Sequence, residues 1–240
     1  MRPGVVPMLD KVRKLLAKAE SPACPPAEAE ALTAKATELI AKYGIETALL
    51  VADHPQGDQV EDRTVRIQPP YAVEKTRLLQ VVARGLRCRA VALQRRADGA
   101  RLFSVHLFGF GADLSCVELL HGSLLAQAGR ALAVESVPAG AHVTAWRRSW
   151  LTGYTTAIGG RLRDSVVRAT EGGPPRVAVV LADRGDRVDQ MVAVRYPDLA
   201  LPSRRRLSGT GFALGHAAGH RADLGTARLA ADVDGVAVGA

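Results

Sequence analysis

The chain has 240 residues, of which 48% are hydrophobic and 23% charged, so it is long enough and apolar enough to fold and is not a disordered polyelectrolyte. No apolar run approaches the roughly 18 residues of a transmembrane helix, and Met1–Pro7 has no signal-peptide core, so the reading is a cytoplasmic protein with no membrane association. The net charge of +8 is uneven: residues 1–55 balance seven basic against seven acidic side chains, residues 56–145 hold eleven against eight, and residues 146–240 fourteen against nine.

The excess is almost all arginine, whose planar guanidinium suits phosphates and carboxylates. A basic half of this kind points to nucleic acid or another polyanion as a partner, although an arginine-rich surface also follows from composition alone. Cys24, Cys88 and Cys116 are too few and too scattered for a disulfide framework or a zinc ribbon.

Leu9, Val12, Leu15, Leu16 and Ala19 recur at helical spacing opposite Lys11, Lys14 and Lys18, which predicts a helix over 8–20. The prolines at 22, 25 and 26 break it. Ala29, Leu32, Ala36, Leu39, Ile40 and Tyr43 form a second stripe that ends at Gly44, so residues 1–52 read as an antiparallel helical hairpin. Such a hairpin offers a docking surface for a protein partner.

Leu15–Ser21, Glu28-Ala29-Glu30-Ala31, Ala34-Lys35-Ala36, Leu39-Ile40 and Tyr43-Gly44-Ile45 follow in order the pattern of the domain-of-unknown-function family numbered 2786. The chain resembles that family over its first 45 residues or so, and departs from it at Cys24-Pro25-Pro26. The resemblance implies the hairpin, a bacterial or phage setting and a second uncharacterised domain; it brings no established activity.

The turn-rich segment at 53–58 is the expected linker to an α+β domain over 60–230 with a mostly antiparallel sheet and long helices, followed by a frayed tail at 231–240. Thr64–Gln68 predicts a strand, Ala72–Leu86 a helix, and Cys88–Gln94 and Arg101–Phe110 a β-hairpin around Ala97-Asp98-Gly99. A long helix then carries Leu114, Val117, Leu120, Leu124 and Ala128, with Asp113 as its expected N-cap. Further elements are a helix over 143–169, a hairpin of Arg176–Ala182 with Val188–Val194 around Asp183-Arg184-Gly185-Asp186, and a short helix over 211–224.

Three constellations carry candidate chemistry. Arg147, Tyr154, Arg161 and Arg168 are spaced seven apart on one helix and therefore share an edge of it; they read either as an anion-binding row or as arginines that reach water or an internal acid such as Asp113 or Glu118. Arg204, Arg205 and Arg206 precede Leu207-Ser208-Gly209-Thr210-Gly211 at a helix start, where backbone donors and cations attract phosphate. Gly211, Gly215 and Gly219 at four-residue intervals give a smooth helix face for close packing, the commoner use of such glycines.

His216 and His220, one turn apart, could share a zinc ion, but Ala217 stands where a protease helix carries its glutamate base. Cys88 and Cys116 read as core, Glu118 and His121 as a surface pair, and there is no G-x-S-x-G elbow. The balance is against an enzyme. It favours a nucleic-acid-associated, phosphate-binding accessory protein over a metal-dependent hydrolase using His216 and His220 or a protein–protein interaction module.

Overall fold

A computed structural model of the chain describes residues 5–19, 21, 32, 35–36, 39–40, 59–97, 99–171, 175–199 and 208–222. Among the described residues the elements are α1 (Val5–Ala19), β1 (Val60–Ile67), α2 (Ala72–Gly85), β2 (Arg89–Ala97), β3 (Ala100–Phe110), α3 (Gly111–Ala133), α4 (Val143–Glu171), α5 (Pro175–Arg195) and α6 (Phe212–Arg221). The fold is α+β. Its sheet has the order β1-β3-β2 and is antiparallel throughout. None of the described helices is long and apolar enough to cross a membrane.

The predicted hairpin forms β2 and β3, with Ala97 opposite Ala100. Gly99 sits at φ 75, the left-handed conformation that a tight turn requires and that glycine adopts without steric cost. β3 is the central strand, and alternation divides its side chains between two faces. Phe103, Val105 and Leu107, with Val65, Ile67 and Ala90 from its neighbours, join the main core beneath α2 and α3. His106, Phe108 and Phe110, with Val60, Val91 and Leu93, lie on the opposite face.

α2 ends where Arg87 takes up φ 62, and the backbone N–H groups of Cys88 and Arg87 donate to the carbonyls of Ala83 and Arg84. This is the Schellman pattern with arginine at the position usually held by glycine. α4 packs on α2 and α6 packs on α4. A Cβ on Gly211, Gly215 or Gly219 would strike the carbonyl oxygens of Trp146, Trp150 and Tyr154 in turn, so the four-residue glycine interval matches a four-residue ladder on α4. The Ser149 hydroxyl donates to the Gly209 carbonyl at 2.7 Å and holds the start of this contact. Close packing is therefore what these glycines provide.

Of the N-terminal hairpin, α1 is described, together with four helical residues of the second stripe, Leu32, Ala36, Leu39 and Ile40, and the helical Lys35 beside them. Val12, Leu16, Ala36 and Ile40 are buried in the same apolar cluster as the sheet and α3. The break at 22–26, the linker at 53–58 and the tail at 231–240 lie outside the described residues.

Two expectations are corrected. Residues 175–195 form one helix rather than a β-hairpin, because Leu181, Arg184, Val188, Met191 and Val192 fall on one side at three- and four-residue spacing. That side covers Phe108 and Phe110, Pro175 fits a first helical position, and Gly185 is tolerated in mid-helix. Asp113 does not cap α3. The helix starts at Gly111 with no side-chain cap, and Asp113, in its first turn, is drawn into the interior by two arginines.

Candidate functional site

The second face of the sheet has a covered half and an open half. α5 lies over the covered half and runs antiparallel to β3, from Arg184 above Phe110 to Tyr196 beside His106. Two of its charges are matched across the face. Arg184 stacks 3.6 Å from the centre of the Phe110 ring and bonds Asp113 Oδ2 at 3.2 Å, while Arg87 reaches Asp113 Oδ1 at 3.4 Å. Arg89 holds Asp189 of α5 through two bonds of 2.6 and 2.7 Å, the fork geometry that suits guanidinium and carboxylate.

At the end of α5, His106 joins Asp62 and Tyr196. Its Nε2 lies 2.7 Å from Asp62 Oδ2 and its Nδ1 lies 2.8 Å from the Tyr196 hydroxyl. An ionised carboxylate only accepts, so Nε2 carries a proton, and in the neutral imidazole the phenol donates to Nδ1. The histidine is 5% exposed and its ring lies 4.3 Å from Phe108.

Beyond Tyr196 the same face is open. Arg66 stands opposite Ser104, and Arg95 stands opposite Leu102, which is 49% exposed. β1 ends at Ile67 opposite Phe103, so the rungs from Arg95–Leu102 to Ala97–Ala100 continue as a two-stranded arm. On the other side of this arm Arg96 lies directly opposite Arg101. All four arginines are exposed, and among the described residues none forms an ion pair. Like charges directly opposite in a sheet repel, so this arm carries a cost that an anion would relieve.

Those residues singled out from sequence that lie among the described residues are dispersed. Tyr154 is 1% exposed, stacks on Trp150 with ring centres 5.5 Å apart, and donates to the Leu124 carbonyl at 3.2 Å. Burial pushes its phenol above the usual range. Arg161 donates to the Gly219 carbonyl at 3.0 Å and so serves the end of α6. Arg147 lies about 21 Å from it along the helix at 1.5 Å per residue, with its Nε buried and without a hydrogen-bond partner. Arg204, Arg205 and Arg206 lie outside the described residues, as does the side chain of Arg168.

His216 and His220 meet edge to face with ring centres 4.6 Å apart, and Phe212 stacks on His216. Among the described residues no three histidine, cysteine or acidic side chains form a metal-binding group. Cys88 and Cys116 are buried free thiols, and Cys116 is pushed up to about 12 by burial and by the charge of Asp113. Glu118 pairs with Arg63 at 3.6 Å, and His121, instead of sharing a surface bond with Glu118, is buried and pushed down to about 4 by that burial.

Sequence reasoning passed over Arg66, Arg95, Arg96 and Arg101 although the hairpin that carries three of them was predicted. The turn expected at Ala97-Asp98-Gly99 would set Arg96 opposite Ala100, whereas the observed two-residue loop pairs Ala97 with Ala100 and so brings Arg96 opposite Arg101. Asp62, His106 and Tyr196 gave no local signal, being spread over three distant segments.

Residues 8–47 match the family model described as Protein of unknown function (DUF2786). No curated protein and no solved structure matches the chain.

Proposed function

We infer that the protein is a nucleic-acid-associated accessory protein that holds the phosphodiester backbone against the open end of its sheet. The observation that carries this reading is the set of exposed arginines Arg66, Arg95, Arg96 and Arg101, unpaired among the described residues and two of them directly opposed. A two-stranded ribbon has dimensions that a major groove admits, and its arginines would neutralise phosphates on either side. Leu102 gives the ribbon an apolar contact between the charges. Arg204, Arg205 and Arg206 belong to the same reading as further phosphate contacts, and Arg147 and Arg161 add to the positive field of the C-terminal half.

Filter binding of single-stranded and duplex DNA and RNA at two salt concentrations tests the reading. The wild-type chain retains nucleic acid at low salt and loses it steeply as salt rises, because each neutralised phosphate releases counterions. The combined Arg95→Ala, Arg96→Ala and Arg101→Ala variant binds at least about tenfold more weakly, and its salt slope falls by about 2 to 3. Absence of retention at low salt, or a triple variant that binds like wild type, removes the proposal.

A further inference from the structure

The geometry points to Tyr196 as a nucleophile toward phosphorus, activated by His106 and Asp62 and set at the border of the arginine-rich open half of the sheet. The substrate class is a phosphodiester, and this part of the inference rests on the function proposed above. Three facts converge on it. The Tyr196 hydroxyl lies 2.8 Å from His106 Nδ1, and His106 Nε2 lies 2.7 Å from Asp62 Oδ2, so in the neutral imidazole the phenolic proton is directed at a base whose cationic form has a carboxylate behind it. A nucleophile, a base and an orienting acid in sequence are the arrangement that activates a weakly acidic hydroxyl.

Phe108 closes the inner side, 4.3 Å from the imidazole and edge-on to the phenol at 6.0 Å. The outer side is accessible: Tyr196 is half-buried and the Asp62 side chain is 56% exposed.

Position supplies the third fact. α5 stops at Arg195, so the covered half of the face ends at the phenol. On the same face Arg66 lies one alternate position beyond the Thr64–His106 rung, about 7 Å along the strand, and Arg95 about 13 Å along. A diester anion repels an incoming oxygen nucleophile, and guanidiniums holding its non-bridging oxygens reduce that barrier.

The step balances without a redox partner. The phenolic oxygen of Tyr196 forms a bond to phosphorus, and the bond from phosphorus to one sugar oxygen breaks. The phenolic proton passes to His106 Nδ1 and then to the departing sugar oxygen. The products are a phosphotyrosyl diester on the protein and a free hydroxyl on the released strand. Tyr196 touches the reacting atoms, His106 is the base, and Asp62 is a positioning residue.

The full-length chain is incubated with internally labelled single-stranded and duplex DNA and RNA, denatured in detergent and resolved on a gel. Support is label that stays on the protein, disappears with Tyr196→Phe and falls at least about tenfold with Asp62→Asn, as expected when a positioned base is weakened, while both variants bind nucleic acid like wild type. A wild-type chain that binds nucleic acid but retains no more label than Tyr196→Phe overturns the inference.

If the wild type does not bind at all, the proposed function falls separately, and an aryl sulfonyl fluoride then judges the nucleophile without nucleic acid. That reagent forms a sulfur–oxygen bond to the phenol and expels fluoride. Modification of Tyr196 at least about tenfold faster than of half-buried Tyr71, slowed by Asp62→Asn, supports an activated phenol; equal rates mean that the three residues only clasp α5 to the sheet.

Discussion

The two halves of one sheet face treat arginine in opposite ways. Under α5, Arg184 and Arg87 share Asp113, and Arg89 is clamped by Asp189. Beyond α5, Arg66 and Arg95 face water, as Arg96 and Arg101 do behind them, with no acid in reach among the described residues. The difference follows from solvation. A charge taken out of water must meet a counter-charge and hydrogen bonds, because its uncompensated burial costs several kcal/mol. A charge left in water needs no partner and stays available for one. Arginine content alone therefore says little about binding, and the presence or absence of an internal acid says a good deal.

Removing the acid from the covered half tests that contrast most severely. Asp113→Asn takes the shared carboxylate from Arg184, whose side chain is 6% exposed, and from Arg87, 17% exposed. The expected loss is about 4 kcal/mol of unfolding free energy by urea denaturation. A loss below about 1 kcal/mol would show that the covered half does not depend on its ion pairs.

A somewhat smaller effect comes from His121, a buried side chain on α3 that pairs with no acid among the described residues. Burial holds its pKa at about 4, below the ordinary 6.5. The unfolded chain therefore takes up the proton first as pH falls, and stability is fully present above the ordinary value and declines toward the folded one. The decline attributable to this group approaches about 3 kcal/mol at 1.36 kcal/mol per unit. His121→Gln should flatten the urea-midpoint profile over that acid range, with the carboxylate contribution unchanged. An identical profile in wild type and variant would mean that His121 charges in the folded protein at little cost.

Periodicity made much of the fold legible, since α1, α2, α3, α4 and the β2–β3 hairpin each carry a stripe or alternation that their burial reproduces. The glycine interval on α6 was readable as packing for the same reason. α5 was not: two short apolar runs around Asp183-Arg184-Gly185-Asp186 fit a hairpin as well as a helix, and the choice was made by Phe108 and Phe110, which needed a cover. The seven-residue row on α4 followed helical geometry correctly, but helical geometry does not say which edge is buried. Tyr154 went inward onto Leu124, and Arg161 went to a carbonyl of α6. Asp113 with Arg184, and His106 with Tyr196, join residues 71 and 90 positions apart, a separation that local pattern cannot bridge.

The smallest effect is the most discriminating, because stability and binding should move in opposite directions. Arg96 and Arg101 are cross-strand partners near the tip of the arm, exposed and of like charge. Arg101→Glu turns repulsion into attraction at a spacing where directly opposed side chains interact, so the variant should gain about 0.5 kcal/mol in urea denaturation. The same change takes one cation from the arm and adds an anion beside Arg96, so retention of nucleic acid at low salt should fall below that of Arg101→Ala. If the pair is merely solvated surface, stability still rises and binding does not change. A gain in stability accompanied by a loss of binding is expected only where the two guanidiniums are kept together, against their mutual repulsion, to hold an anion between them.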